Sequence, residues 1–213
     1  MTDNIEVFTQ SSIRIKTEDQ VIYIDPFRLA IEPHDADLIF ITHDHYDHFS
    51  VEDIQRAAKP STILIVPEKM EDKACEAADP VSQIETVVPG ESYEIAGLSF
   101  ETVPAYNKLK PFHPKSAGWV GYILTAGEKR IYIAGDTDMT KDNQQVKCDI
   151  ALVPIGGKYT MDAAKAAELI NVIRPETAIP THYGSIVGSW DDAEVFAGKV
   201  DPAIRVEVKI RPS

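Results

Sequence analysis

Three histidines and two aspartates lie within six consecutive residues of this 213-residue chain, in the segment Thr42-His43-Asp44-His45-Tyr46-Asp47-His48. Because the whole chain has only six histidines, this density marks the segment as a functional site. Imidazole and carboxylate groups are ligands that suit zinc and its neighbours among the divalent metals. In an extended turn, His43 and His45 point to one side, while Asp47 and His48 point to a second position. The segment therefore predicts two metal ions; the alternative is a solvated polar loop, or histidines satisfied by local hydrogen bonds.

Four further apolar segments also end in residues that could serve a site. They are Ile131–Ala134 before Asp136, Thr177–Ile179 before His182, Ser99–Thr102 before Asn107, and Ile150–Val153 before Gly156-Gly157. An aspartate after a single strand is usually only a turn former. However, α/β sheets place their sites beyond the carboxyl ends of strands. The repeated pattern, in a chain with the histidine segment, therefore predicts one shared site.

The apolar periodicity predicts the elements that position these residues. Strands are expected at 12–16, 21–24, 38–41, 62–66, within 84–106, at 119–125, 130–134 and 149–153, before Pro180, and at 204–211. Helices are expected from the Ser50 cap to the residues before Pro60, over 68–78, from a Thr160 cap to Pro175, and at 191–198. Each group of strands is followed by helices, which predicts two similar α/β halves in a single domain spanning 1–213.

Composition limits the classes of partner. The formal net charge of −13 argues against nucleic acid and against anionic membranes. No apolar run approaches the length of about 20 residues that a bilayer-spanning helix needs, and the start of the chain lacks a secretory signal pattern. Cys75 and Cys148 stand far apart and are interpreted as two buried or reduced thiols. We therefore expect a cytoplasmic protein that acts on a small molecule, and a homo-oligomer is compatible with the sequence.

The pattern His-x-His-x-Asp-His at 43–48, followed by Gly135-Asp136 and the late His182, resembles that of the metallo-β-lactamase fold hydrolases. The resemblance covers essentially the whole chain. It implies an α/β fold, a four-layer αββα sandwich of two similar halves. The chain is most similar to the stand-alone metal-dependent hydrolases near the ascorbate-phosphate lactonases and the phospholipase D-like members.

The resemblance also implies a set of ligands. The first metal would be held by His43 and His45, the second by Asp47, His48 and His182, with Asp136 bridging both and Asp47 also orienting the nucleophile. The family has a further histidine on the first metal, where this chain has Tyr106-Asn107. His113, six residues later, is the favoured replacement. Asn107 or a water molecule in its place is the alternative, with His113 then touching substrate.

The implied chemistry is hydrolysis. A divalent metal lowers the pKa of bound water from 15.7 to about 7, so a metal-bound hydroxide would attack a small ester, lactone or phosphodiester. Two Zn²⁺ ions are expected, with Mn²⁺ or Fe²⁺ as alternatives. His45 stands where flavodiiron proteins of this fold have glutamate, which favours zinc hydrolysis over oxygen chemistry. A non-catalytic metal-binding or ligand-sensing module is the main alternative function, and a nuclease is disfavoured by charge and length.

Substrate contacts are predicted at Asn107, Tyr159 and Tyr183, which flank the motifs. Gly156-Gly157 precedes a predicted helix, whose N-terminus could hold an anionic group; a simple strand-to-helix turn is the equal alternative. Two divalent ions would make the centre locally cationic inside an acidic protein. A small anionic substrate therefore remains compatible with the net charge. His34 matches nothing in the pattern and is interpreted as a surface residue.

Overall fold

The histidine segment follows the fourth strand of a six-stranded sheet. The computed structural model describes residues 1–210, and their contacts divide them into two compact units, residues 1–88 and residues from 89 onward. Each unit contains one sheet, and the candidate ligands follow strands of both sheets.

The first unit has mixed strand directions. Its elements are β1 (Ile5–Val7), β2 (Ile13–Lys16), β3 (Val21–Ile24), β4 (Ala36–Phe40), α1 (Val51–Ala57), β5 (Ala58–Pro67), α2 (Glu71–Ala74) and β6 (Gln83–Val87), with 3-10 turns at Thr2–Asn4, Glu68–Met70 and Cys75–Ala77. The sheet order follows the sequence. β1 to β3 pair antiparallel and β3 to β6 pair parallel. Because β3 and β4 are parallel neighbours, their carboxyl ends meet at one edge.

Local sequence explains the two helical segments of this unit. Ser50 caps α1, as predicted, by accepting a hydrogen bond from the Asp53 N–H. The predicted helix over 68–78 is instead one α-helical turn between two 3-10 turns. Only Met70, Ala74 and Ala77 of this segment are buried in the core beneath the sheet, so little apolar surface supports a longer helix.

The second unit repeats this plan with one more antiparallel strand. Its elements are β7 (Ser92–Ile95), β8 (Leu98–Pro104), β9 (Val120–Ala126), β10 (Lys129–Ile133), β11 (Ile150–Pro154), α3 (Ala163–Ile173), β12 (Thr177–Thr181), α4 (Asp192–Lys199) and β13 (Arg205–Val206), with 3-10 turns at Lys115–Ala117 and Asn143–Gln145. β7 to β10 pair antiparallel and β10 to β13 pair parallel. β8, β10, β11 and β12 therefore run in the same direction and end at one edge, where the candidate residues follow.

The predicted cap of α3 is wrong. Asp162, not Thr160, caps the helix, because its carboxylate accepts a 2.7 Å hydrogen bond from the Lys165 N–H. The Thr160 hydroxyl donates instead to the Met161 carbonyl at 3.1 Å. The Met161 N–H donates to the Thr137 carbonyl, so the chain stays tied to the loop after β10 before the helix starts. A carboxylate already occupies this helix N-terminus, which disfavours a second anion there.

Two predictions about the last strands are also corrected. β12 does not stop before Pro180 but continues through it to Thr181. Of the predicted strand 204–211, only Arg205 and Val206 pair with β12, and Arg211 lies outside the described residues. Ile204 and Ile210 of this alternation are buried, but Val208 is 47% exposed, so the apolar positions form only part of a buried face and the segment does not continue as a paired strand.

Pro180 fits within β12 because its backbone nitrogen faces the side of β13 and not β11. The Thr177 N–H donates to the Asp149 carbonyl at 3.1 Å, next to β11, whereas the Ala178 carbonyl accepts from the Glu207 N–H at 3.0 Å, next to β13. Even-numbered positions of β12 therefore face β13. β13 ends opposite Ala178, so the missing N–H of Pro180 costs the ladder no hydrogen bond.

The predicted α/β class with two similar halves is confirmed, since two sheets of closely similar topology are flanked by helices. That residues 1–213 form a single domain stays a prediction. Cys75 and Cys148 are free thiols, as predicted, although Cys75 is exposed. Within residues 1–210, no helix has the length and apolar character needed to cross a membrane.

Candidate metal centre

The histidine segment forms a single tight turn after β4. The His45 carbonyl accepts hydrogen bonds from the His48 and Phe49 N–H groups at 3.0 and 2.8 Å. His43, Asp47 and His48 are buried and His45 is half-buried. Burial contradicts the alternative of a solvated loop, because most of the imidazoles and carboxylates of this turn are kept away from water.

His43 and His45 direct one nitrogen each toward a common point. The distance between His43 Nε2 and His45 Nδ1 is 3.1 Å. The Thr42 hydroxyl lies 3.0 Å from His43 Nδ1 and 2.6 Å from Asp25 Oδ2. Because that hydroxyl donates to the carboxylate, its oxygen accepts from His43 Nδ1–H, which leaves Nε2 as the unprotonated nitrogen. An unprotonated imidazole nitrogen is what metal coordination requires.

His48 is fixed in the same way. Its Nδ1 lies 2.7 Å from Asp25 Oδ2, so Nδ1 carries the proton and Nε2 is left unprotonated, as a metal ligand requires. Asp25 also accepts from the Thr42 N–H at 2.8 Å. A carboxylate that orients a ligating imidazole is the usual arrangement behind metal-binding histidines.

Asp25 is a candidate site residue that the sequence analysis missed. It is completely buried, and burial raises the pKa of its carboxyl while the hydrogen bonds from His48 and Thr42 oppose that rise. The signal was available, because Asp25 directly follows the apolar strand Val21–Ile24. The same strand-end rule that selected Asp136 would have selected it.

Asp47 is held close to His48. Asp47 Oδ2 lies 3.7 Å from His48 Nε2 and 3.5 Å from the side-chain amide nitrogen of Gln10.

On the outer side of the turn, Lys73 of α2 donates to the Asp44 carbonyl, and its ammonium lies 5.4 Å from the centre of the Phe49 ring. Lys73 therefore contacts the segment near both of its ends and restrains it.

The second unit brings together three of the predicted ligands. Asp136 Oδ2 lies 3.3 Å from His113 Nε2 and 3.3 Å from His182 Nε2. All three side chains are at most 3% exposed. One carboxylate oxygen is thus flanked by two imidazole nitrogens that come from loops after β8 and β12.

Unusual backbone conformations carry these two histidines. His113 and His182 both have φ of 58°, in the left-handed region that non-glycine residues rarely adopt. A Cβ atom on Gly156 would lie 2.3 Å from the His182 carbonyl oxygen, so only glycine permits this approach of the two loops. Gly156 therefore positions the His182 loop. This close backbone approach explains why a glycine stands at position 156, and no bound anion is needed to explain it.

Asn107 lies next to His113 and ties the loop that carries it to main-chain carbonyls. Its amide nitrogen donates to the Tyr159 carbonyl at 2.7 Å and the Phe112 carbonyl at 3.0 Å, which uses both amide hydrogens. His113 Nδ1 lies on the Asn107 side at 3.3 Å, whereas Nε2 faces Asp136. Asn107 Oδ1 is buried and makes no hydrogen bond within residues 1–210, so both His113 Nε2 and Asn107 Oδ1 offer a donor atom, and the choice of His113 as ligand stays a prediction.

The other residues proposed for substrate contact have different surroundings. Tyr159 is half-buried and packs edge-on against Phe112, with ring centres 4.8 Å apart. Tyr183 is 1% exposed and packs against Trp190, and burial raises the pKa of its hydroxyl. Substrate contact by Asn107, Tyr159 and Tyr183 stays a prediction. His34 is exposed, as predicted.

The donor set fits divalent transition metals. In the first unit, His43 and His48 each have one unprotonated nitrogen and His45 directs Nδ1 toward His43 Nε2. In the second unit, His113 and His182 flank one carboxylate oxygen. Neutral imidazole together with carboxylate suits Zn²⁺, Mn²⁺ and Fe²⁺. Within each unit, these buried or half-buried histidines therefore have a chemical reason to lie together, which a purely structural role does not provide.

Known proteins with related sequences and folds also indicate a metal-dependent protein. The sequence profile of the β-lactamase superfamily domain matches residues 4–182. The UPF0173 metal-dependent hydrolase of Pyrococcus abyssi is 34% identical, over 88% of each chain, and that of Methanopyrus kandleri is 30% identical, over 94% of this chain and 93% of its own. A crystal structure of a Parabacteroides distasonis protein designated a metal-dependent hydrolase superposes with a TM-score of 0.81 and 27% identity, covering 97% of this chain and 93% of its own.

The matched relatives extend over 88–94% of the chain, and the structural match agrees with the topology described above. The resemblance inferred from the His-x-His-x-Asp-His pattern is therefore confirmed. The chain belongs to the β-lactamase superfamily, within its UPF0173 metal-dependent hydrolases.

Proposed function

We propose that this metal-dependent hydrolase is a dinuclear enzyme that hydrolyses a small ester, lactone or phosphodiester. His43, His45 and His113 would hold one ion and Asp47, His48 and His182 the other, with Asp136 as ligand to both. Zn²⁺ is the expected metal, with Mn²⁺ or Fe²⁺ as alternatives. The assignment combines the family membership with the donor geometry found separately in each unit.

The observation that carries the proposal is the environment of Asp136. Its Oδ2 lies equally far, 3.3 Å, from the Nε2 atoms of His113 and His182. If His113 and His182 serve different ions, as proposed, Asp136 would be shared between the two sites, and its carboxylate is a donor that suits these metals.

The reaction adds water across one bond of the substrate. When bound, the metal ions lower the pKa of water and polarise the substrate oxygen. The water oxygen bonds to the carbonyl carbon or phosphorus, the bond to the leaving oxygen breaks, and a proton passes to that oxygen. Asp47, 7% exposed and next to His48, is proposed to orient the water and to accept its proton. Asp25 keeps His48 in the required tautomer throughout.

The substrate is proposed to be a small molecule that can carry a negative charge. The net charge of −13 disfavours a long polyanion, whereas divalent ions favour a single carboxylate or phosphate group. Lys110 and Lys115 are unavailable for this purpose, because they pair with Asp138 and Asp142. Lys158, whose ammonium lies 5.0 Å from the Tyr159 ring centre, is the cation proposed to meet the substrate beside Tyr159.

The test is a substrate panel combined with metal analysis. The protein is stripped with chelator, reconstituted with Zn²⁺ or Mn²⁺, and assayed on generic esters, lactones and phosphodiesters. We expect two ions per chain, turnover of at least one substrate class, and loss of that turnover when chelator is added again. Hydrolysis that is indifferent to chelator, or binding of less than one ion per chain, would contradict the proposal. Full metal binding without turnover would favour a non-catalytic sensing module.

The choice between His113 and Asn107 as ligand has its own prediction. His113→Ala removes a coordinating nitrogen, so we expect the affinity for one of the two ions to fall by at least about 100-fold, beyond the usual range for supporting residues. Asn107→Ala removes two hydrogen bonds to main-chain carbonyls but no proposed ligand, so its loss should be smaller. Calorimetric titration of the metal-free variants measures both affinities. A larger loss in Asn107→Ala would transfer the ligand role to Asn107.

A further inference from the structure

Gln10 is a buried polar residue without a structural explanation of its own. It lies in the tight turn between β1 and β2, where the Ser12 N–H donates to the Thr9 carbonyl at 2.9 Å. Its φ is 50°, in the left-handed region, which glycine or asparagine would occupy at lower cost. Its side chain is completely buried. A turn residue would ordinarily direct such a side chain into solvent.

The Gln10 side chain contacts Asp47, far away in sequence. Its amide nitrogen lies 3.5 Å from Asp47 Oδ2. The opposite orientation of the amide would place Oε1 against a carboxylate oxygen, so the assigned orientation is the favourable one. Gln10 Oε1 is buried and makes no hydrogen bond within residues 1–210.

A buried acceptor without a donor destabilises a folded protein. Methionine has nearly the same shape and would avoid this loss. It would give up the amide contact with Asp47, but at 3.5 Å that contact is longer than an ordinary N–H···O hydrogen bond, so folding alone gives little reason for glutamine here. The retained acceptor lies beside the carboxylate proposed to orient the nucleophile. Such an acceptor is useful where an O–H or N–H donor arrives during the reaction.

We propose that Gln10 is part of the reaction site, where its Oε1 accepts a hydrogen bond from an O–H or N–H group brought to Asp47. This inference rests on the proposed hydrolytic function and adds a contact to it. The donor is either the attacking water or a hydroxyl or amide of the substrate. With the water as donor, Gln10 and Asp47 together fix the direction in which its lone pair points.

The experiment compares Gln10→Met with Gln83→Met, a matched change at an exposed position of β6. Thermal unfolding of the metal-free proteins and steady-state kinetics of the reconstituted proteins are measured for both variants. We expect Gln10→Met to unfold within about 2 °C of the unaltered protein or above it, since an unsatisfied acceptor is removed. Its turnover should fall by about tenfold or more, since a reacting group loses its orientation.

The kinetic constants identify the donor. A fall in kcat with KM unchanged indicates the attacking water, whereas a rise in KM indicates a donor on the substrate. Unchanged kcat and KM in Gln10→Met would overturn the inference, and so would a large loss of thermal stability, which would make Gln10 a structural residue. Failure of the unaltered protein to hydrolyse any substrate contradicts the proposed function instead, and the stability comparison then decides whether the Gln10 acceptor is structural.

Discussion

Asp136→Ala is expected to abolish metal binding and hydrolysis together. The variant removes the one ligand assigned to both ions and leaves His113 and His182 without the carboxylate between them. Metal ions contribute several kcal/mol to catalysis, and each 1.36 kcal/mol corresponds to a factor of ten. Turnover should therefore fall by roughly a thousandfold or more, and calorimetric titration should detect no tightly bound ion.

The matched control is Asp191→Ala, an exposed aspartate that makes no side-chain capping bond at α4. It should retain two ions and full turnover. If Asp136→Ala also retained two ions, Asp136 would not be the bridging ligand. Retention of one ion would reduce its role to a single site.

Asp25→Asn is expected to weaken metal binding although Asp25 touches no metal. The Thr42 N–H needs an acceptor, so the amide oxygen of the new side chain faces Thr42 and its NH₂ group faces His48. His48 Nδ1 must then accept a hydrogen bond, which moves the imidazole proton to Nε2, the nitrogen proposed to coordinate. Affinity at that site should fall about 10- to 100-fold, as for other residues that orient a ligand.

Metal titration and NMR of the histidine ring nitrogens measure this change directly, because the two tautomers have distinct nitrogen shifts. Asp19→Asn, at an exposed position, is the control and should leave both affinity and tautomer unchanged. An unaltered His48 tautomer in Asp25→Asn would show that Asp25 does not set it. Unaltered affinity despite a changed tautomer would remove His48 from the ligand set.

Elements with strong periodicity were predictable from sequence, and elements that depend on tertiary pairing were not. The apolar runs 21–24, 130–134 and 149–153 correspond closely to β3, β10 and β11, because strands buried on both faces are apolar throughout. The alternation at 204–211 was the clearest pattern, yet only two residues pair there. Alternation reports amphipathic character, whereas pairing depends on a neighbouring strand that the local sequence does not describe.

The residues of the candidate site also divide into those that the sequence could predict and those that it could not. Adjacent donors such as His43, His45 and His48 were found because their spacing alone is informative. Asp25, Gln10 and Lys73 were missed, since each acts on the histidine segment across the fold rather than within a motif. His113 was proposed from a departure in the family pattern, and its contact with Asp136 depends on a left-handed backbone that sequence does not reveal.

Pro180 has a consequence for molecules that are partly unfolded. β13 pairs only with the first two residues of β12, although all five residues of β12 are buried in the folded protein. The main-chain groups beyond Ala178 are therefore offered to another strand only when the residues that cover them detach. At Pro180 the position that faces β13 has no N–H, so a strand added there would lose a hydrogen bond. We therefore expect the proline to disfavour strand addition next to His182 while the protein is partly unfolded.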